Sequence, residues 1–191
     1  MSSYGQTPSQ TVGPFFHFAL PNEKFETLFT DKTKGERIKI EGRIVDGDGA
    51  PLPDAIIEIW QANAEGRYDH ADDKQEDKAL DPSFHGWGRS ATDKDGVFRF
   101  NTIKPGPVPG PGNTLQAPHV GVTVLARGML KHLVTRLYFE GEKLNADDPI
   151  LARINEPERR STLIAKRNGK DGTYVFNIVL QGDNETVFFD V

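Results

Sequence analysis

The sequence predicts an all-β fold, two antiparallel sheets packed as a β-sandwich over residues 37–191, with an extended N-terminal arm over residues 1–36 and one short helix. Three observations lead there. Apolar Ile38, Ile40 and Ile44 alternate with Lys39, Glu41 and Arg43, the period-two pattern of a strand with one buried face. The chain carries 19 glycines and 13 prolines, which suits short strands joined by turns. Helical periodicity does not recur between the strands, which argues against a parallel sheet with crossover helices.

The arm mixes Ser, Thr, Gln and Pro with Phe15, Phe16 and Phe18 and shows no sustained period. It has no core of its own and is expected to pack across the domain or across a partner chain, because aromatic side chains left in water would form an unusual exposed patch. A strand begins at Arg37. Asp46-Gly47-Asp48-Gly49 then turns the chain, as Asp93-Lys94-Asp95-Gly96 does later. Neither completes a calcium loop, since the sixth-position glycine and terminal glutamate are missing, so both read as hairpin turns.

From Asp54 a second strand carries Ile57, Ile59 and Trp60 and gives way to a polar loop that presents Tyr68 between Arg67 and Asp69. Further strands are expected at Val97–Asn101, His119–Leu125, His132–Phe139, Tyr174–Leu180 and Thr186–Asp190. The helix follows Asp147: Asp147 or Asp148 caps it, Pro149 suits its first turn, and Ile150, Leu151 and Ile154 form an apolar stripe up to Pro157. Between Lys104 and Gln116 the chain is rich in proline and glycine. Strands on both sides make it an ordered loop, since its prolines limit the freedom lost on folding.

A net charge of −5 with mixed signs denies nucleic acid the basic surface it needs. The basic cluster Arg159, Arg160, Lys166, Arg167 and Lys170 and the acidic run from Asp69 to Asp81 read as solvated surface. With no cysteine, disulfides and thiolate metal sites are excluded. Residues 1–10 hold no basic leader, and the apolar patch Val12–Leu20 is too short to span a bilayer. A cytoplasmic protein with no membrane partner is the expectation.

No phosphate loop, nucleophile elbow or His-Glu-x-x-His helix appears. The residues left for chemistry are five histidines, His17, His70, His85, His119 and His132, and four tyrosines, Tyr4, Tyr68, Tyr138 and Tyr174. Imidazoles combined with phenolates suit an oxidised iron, because an anionic oxygen stabilises a trivalent cation and the cation lowers the phenol's pKa. A selective site takes about four ligands. One tyrosine and one histidine do not suffice.

Several blocks carry a family resemblance. They are Pro51 to Ala55, Glu58-Ile59-Trp60-Gln61-Ala62-Asn63-Ala64-Glu65-Gly66-Arg67-Tyr68, Gly88 to Asp93, Thr102 to Gly106, Ala117-Pro118-His119 and Leu133 to Phe139. In this order they resemble the intradiol ring-cleavage dioxygenases over nearly the whole chain. That family holds a non-haem ferric iron with two tyrosines and two histidines. The resemblance puts Tyr68 and His119 at the first and third ligand positions, and Val108 and Gly121 where the second tyrosine and second histidine belong. Valine and glycine side chains do not bind iron, so the resemblance implies a vestigial site, with neither a metal ligand set nor a catalytic residue of its own.

The opening Thr7 to Phe16 and the ending Gly182 to Asp190 resemble the member of a duplicated pair whose iron-bearing beta chain does the chemistry. The resemblance implies Fe(III) held by that beta subunit, with protocatechuate and O2 as substrates and 3-carboxy-cis,cis-muconate as product. It also implies that Thr11, Gly13 and Pro14 line the mouth of the partner's site, and that Arg127 projects towards the substrate carboxylate, a fit between guanidinium and carboxylate. Without the resemblance, Arg127 reads first as a strand-end arginine paired with a surface acid, and only the family match sets the substrate reading level with it. Two other readings stand beside this one. A non-enzymatic β-sandwich interaction module explains residues 38–60 and 93–101, and a self-sufficient dioxygenase needs a further histidine or tyrosine to fill the gap.

Overall fold

Residues Arg37–Val45 form β1, in which every second side chain, Ile38, Ile40, Gly42 and Ile44, is buried and the others face out. The alternation in the sequence is therefore the alternation in space. The computed structural model describes residues 16–169 and 171–190, without the side chains of His17 and Phe18. Thr11, Gly13 and Pro14 lie outside the described residues.

The strands that follow are β2 (Ile56–Trp60), β3 (Trp87–Ala91), β4 (Val97–Ile103), β5 (Val108–Pro109), β6 (Leu115–Gln116), β7 (His119–Leu125), β8 (Leu133–Phe139), β9 (Ile164–Asn168), β10 (Thr173–Val175) and β11 (Ile178–Val179). A nine-stranded sheet runs β11-β1-β10-β9-β8-β7-β2-β3, with β4 on the other edge of β1, while β5 and β6 form a separate hairpin. The fold is mostly β, as expected. The expected pair of separate antiparallel sheets gives way to one nearly closed sheet containing three parallel pairings, β1 with β10, β1 with β11 and β8 with β9.

The reason lies in β9. Its first residues, Ile164 and Ala165, pair with β8, and its later residues, Lys166 to Asn168, pair with β10, so one strand joins the two halves. The halves enclose a single core of Ile38, Ile40, Phe98 and Phe100 from one side and Ile57, Ile59, Val122 and Leu137 from the other. Burying such side chains contributes roughly 1.5–3 kcal/mol each.

The expected strand Tyr174–Leu180 is broken. Phe176 N donates to Glu41 O and Leu180 N to Val45 O, so β10 and β11 follow one edge of β1. Between them the Asn177 side chain accepts from Arg43 N at 3.0 Å and replaces a ladder bond. Gly42 is required at this crossing, because a Cβ there would sit 1.8 Å from the Phe176 carbonyl oxygen. The expected strand Thr186–Asp190 is reduced to a bridge between Val134 and Phe189. Its other amides go elsewhere: Thr186 N donates to Val179 O and Val187 N to Thr162 Oγ1.

The helix expected after Asp147 is a single 3-10 turn, Leu151–Arg153. Asp148 does cap it, with Oδ1 accepting from Ile150 N and Leu151 N at 2.9 Å. A short α-helix, Pro157–Ser161, starts at the proline that was read as an end, since proline fits a first turn as well as it stops a last one. The two aspartate turns form as read: Asp46 Oδ1 accepts from Asp48 N and Ala50 N, and Asp93 Oδ1 from Asp95 N and Val97 N.

Beyond residue 22 the arm packs on this chain's own strands. Leu28 N donates to Asn101 O, Asn101 N to Glu26 O, and the Phe25 ring meets Trp87 edge-on at 5.1 Å.

Candidate functional site

Two glycines decide where the site forms. In the turn that follows Gln61, Asn63 Oδ1 accepts from Glu65 N and Arg67 N, and Gly66 N donates to Asn63 O. The Lys104-Pro105-Gly106 turn docks here, with Gly106 N donating to Asn63 O at 2.9 Å. A Cβ on Gly106 would meet Ala64 O at 2.5 Å, and one on Gly66, whose φ is +81°, would meet Pro107 O at 2.0 Å. Only glycine permits this approach. It brings Tyr68 and Val108, 40 residues apart in sequence, into one cleft.

The third wall comes from the sheet. Register places Trp60 opposite Gly121, Gly121 opposite Arg136 and His119 opposite Tyr138. The resulting cleft, about 490 Å³, is lined among others by Trp60, Tyr68, Val108, Gln116, His119 and Arg136. Tyr68 stacks on Trp60 with ring centroids 5.8 Å apart and planes 12° from parallel. His70, one of the five histidines, is exposed and also lines the cleft.

His119 is buried, and its Nδ1 donates to the Ala117 carbonyl at 2.7 Å. That bond fixes the tautomer and leaves the lone pair on Nε2. Burial, reinforced by the nearby Arg136 charge, pushes its pKa down to about 4, so the ring is neutral at neutral pH. Burial also raises the Tyr68 phenol above its ordinary value, an effect that Arg136 partly offsets. Tyr138, fully buried beside them, is raised for the same first reason. Arg136 Nη1 donates to Gln116 Oε1 at 2.6 Å.

These residues do not fit a ferric ion. Tyr68 and His119 offer two donors, while Val108 and Gly121 offer none. A side chain at Gly121 would press on the Trp60 carbonyl, its Cβ 3.3 Å away. Arg136 already places a positive charge in the cleft. No cluster of three His, Cys, Asp or Glu residues suited to a metal occurs among the described residues.

Arg127 is elsewhere. It follows β7 at the end away from His119, about 25 Å along an extended strand, and its Nε forms an ion pair with Asp54 Oδ2 at 2.9 Å while 81% of the side chain stays exposed. Asp54 lines a second, smaller hollow of about 220 Å³ together with Phe16, Pro21, Ala55 and Thr92. The structure thus separates Arg127 from Tyr68 and His119 and brings it near the start of the described arm.

The sequence reading passed over Arg136, Gln116 and Trp60 as site residues. A signal for Arg136 was available, since it is the one charged residue in the apolar strand Leu133-Val134-Thr135-Arg136-Leu137-Tyr138-Phe139, and a charge there needs a partner or a cavity.

A protein-family model described as Dioxygenase matches residues 12–182. The chain belongs to the intradiol dioxygenase family. Among the relatives of this dioxygenase, the protocatechuate 3,4-dioxygenase alpha chain of Pseudomonas putida is 41% identical, over 97% of this chain and 96% of that one. The beta chain of Burkholderia cepacia is 37% identical, over 93% of this chain and 77% of that one. A solved structure, the dioxygenase domain of a dioxygenase carbohydrate-binding protein fusion from Streptomyces sp. SirexAA-E, superposes with a TM-score of 0.63 at 28% identity, covering 96% of this chain and 100% of that one. Such full-length matches to enzyme chains set aside the interaction-module alternative. The family is iron-dependent, and of Tyr68, Val108, His119 and Gly121 only Tyr68 and His119 carry a donor atom. Among the described residues no helix is long and apolar enough to cross a membrane.

Proposed function

We propose that this chain is the alpha subunit of a cytoplasmic protocatechuate 3,4-dioxygenase, which cleaves protocatechuate with O2 to 3-carboxy-cis,cis-muconate. Fe(III) belongs to the protocatechuate 3,4-dioxygenase beta subunit, and this chain supplies scaffold and one wall of the substrate pocket. One observation carries the reading. The cleft is lined by Tyr68, Val108, His119 and Arg136, with Gly121 opposite Arg136 in the sheet; in this reading Val108 and Gly121 stand at two of the family's four ligand positions and carry no donor.

In this reading the wall is made by the arm around Thr11, Gly13 and Pro14 and by Arg127, whose guanidinium meets the protocatechuate carboxylate. The grouping of Arg127, Asp54 and Phe16 at one end of the molecule supports it. Removing residues 1–14 then impairs assembly or activity.

The test is the iron content and visible absorbance of this chain purified alone and co-expressed with the beta subunit. Tyrosinate bound to ferric iron gives a red charge-transfer band, so no substrate is needed. Colour that appears only with the partner, at about one iron per alpha-beta pair, upholds the reading. A red, iron-bearing chain on its own overturns it.

A further inference from the structure

The cleft has lost metal donors without becoming inert. Arg136 is half-buried in its wall, and its guanidinium spends Nη1 on Gln116 Oε1 and, at 3.5 Å, on the Tyr138 hydroxyl. Among the described residues no carboxylate lies within salt-bridge distance of Arg136, and its Nε and Nη2 donate to nothing. A guanidinium whose Nε and Nη2 are both free at a cavity is a site for an oxyanion, since N–H donors side by side match the two oxygens of a carboxylate.

The other walls select what carries that oxyanion. The Trp60 and Tyr68 rings lie nearly parallel, 5.8 Å apart, and Val108 adds an apolar surface. Flat aromatic walls favour a planar ring over a compact tetrahedral anion. His119, with Nδ1 committed to Ala117, offers a lone pair on Nε2, and that lone pair accepts a ring hydroxyl. Asp72, Asp73 and Lys74 also line the cleft. The volume of about 490 Å³ exceeds that of one substituted benzene ring.

We propose that the cleft between Tyr68, His119 and Arg136 binds a small aromatic monocarboxylate of the benzoate class, with the Arg136 guanidinium holding the carboxylate. The site is this chain's own and lies at the far end of β7 from Arg127. It does not rest on the alpha-subunit reading: iron measured in the complex tests that reading, and ligand binding here tests this one.

The experiment uses the full chain, alone or with its partner, labelled with 5-fluorotryptophan. Trp60 and Trp87 are its two tryptophans, and Trp60→Phe assigns the resonance of the cleft. Benzoate is expected to shift the Trp60 fluorine signal saturably and leave Trp87 unmoved. Benzamide, the neutral isostere, is expected to bind about tenfold or more weakly, the cost of losing a charge-assisted contact. Arg136→Gln is expected to abolish the shift and Arg136→Lys to keep part of it. The proposal is overturned if benzoate leaves Trp60 unmoved, or if benzamide or inorganic phosphate matches benzoate. The benzamide comparison is made on the unaltered chain and so does not depend on whether a variant folds.

Discussion

The Tyr138 hydroxyl donates to Oδ1 of Asp148 at 3.2 Å, and both residues are completely buried. Asp148 also accepts from Ala117 N through Oδ2 and from Ile150 N and Leu151 N through Oδ1. One carboxylate thus ties the strand that carries His119 to the turn behind it. Asp148→Ala orphans two buried amides and one half-buried amide and is expected to cost about 3 kcal/mol or more, whereas Asp148→Asn, which keeps an acceptor, costs about 1–2 kcal/mol. Urea unfolding of the purified protein measures both. Equal losses for the two variants would contradict this account of Asp148 as an acceptor.

His119 makes stability depend on pH. Its folded pKa of about 4 lies below the ordinary 6.5. Above about pH 6.5 both folded and unfolded states are neutral and the residue adds no slope. Between 6.5 and 4 the unfolded chain binds a proton that the folded chain refuses, so stability falls by up to about 3 kcal/mol as pH drops through that window. Below it the slope vanishes. Melting curves of the native chain and of His119→Gln, compared across this window, are expected to converge towards acid pH. Parallel curves would show that folding does not depress the His119 pKa.

Arg127 is expected to separate stability from function. Its pair with Asp54 is largely exposed, so Arg127→Ala changes stability by less than about 0.5 kcal/mol. In the assembled enzyme the same substitution is expected to raise the KM for protocatechuate more than that for catechol, which lacks the carboxylate. Equal changes for both substrates would remove Arg127 from the substrate pocket.

The charge of Arg136, as well as the lack of donors at Val108 and Gly121, is expected to oppose iron in the cleft. A chain with Val108→Tyr and Gly121→His is expected to stay colourless, because a trivalent ion would sit beside a fixed guanidinium. Adding Arg136→Gln is expected to bring iron and a red band, read by metal analysis and visible absorbance. Colour in the double variant would show that donor count alone decides.

Much of the fold was legible in the sequence because strands with one wet face write their period into the chain. The burial of β1 follows Ile38, Ile40, Gly42 and Ile44 residue by residue, and His119–Leu125 has the expected bounds. β9 was not legible. Its residues Lys166 to Asn168 are exposed, so the strand carries almost no apolar alternation, and it forms because its two halves bridge β8 and β10.

The sequence by itself determined the family, and it determined that Val108 and Gly121 offer no donor atom in any conformation. It also determined the turns, through aspartate side chains that bond within a few residues. Only the tertiary structure decided that the sheet is nearly continuous, that Arg127 lies far from Tyr68 and His119, and that Arg136 stands in the cleft. Each of those depends on which strand edges meet and on the register at which they meet. Such pairings join residues far apart in sequence, and no local pattern encodes them.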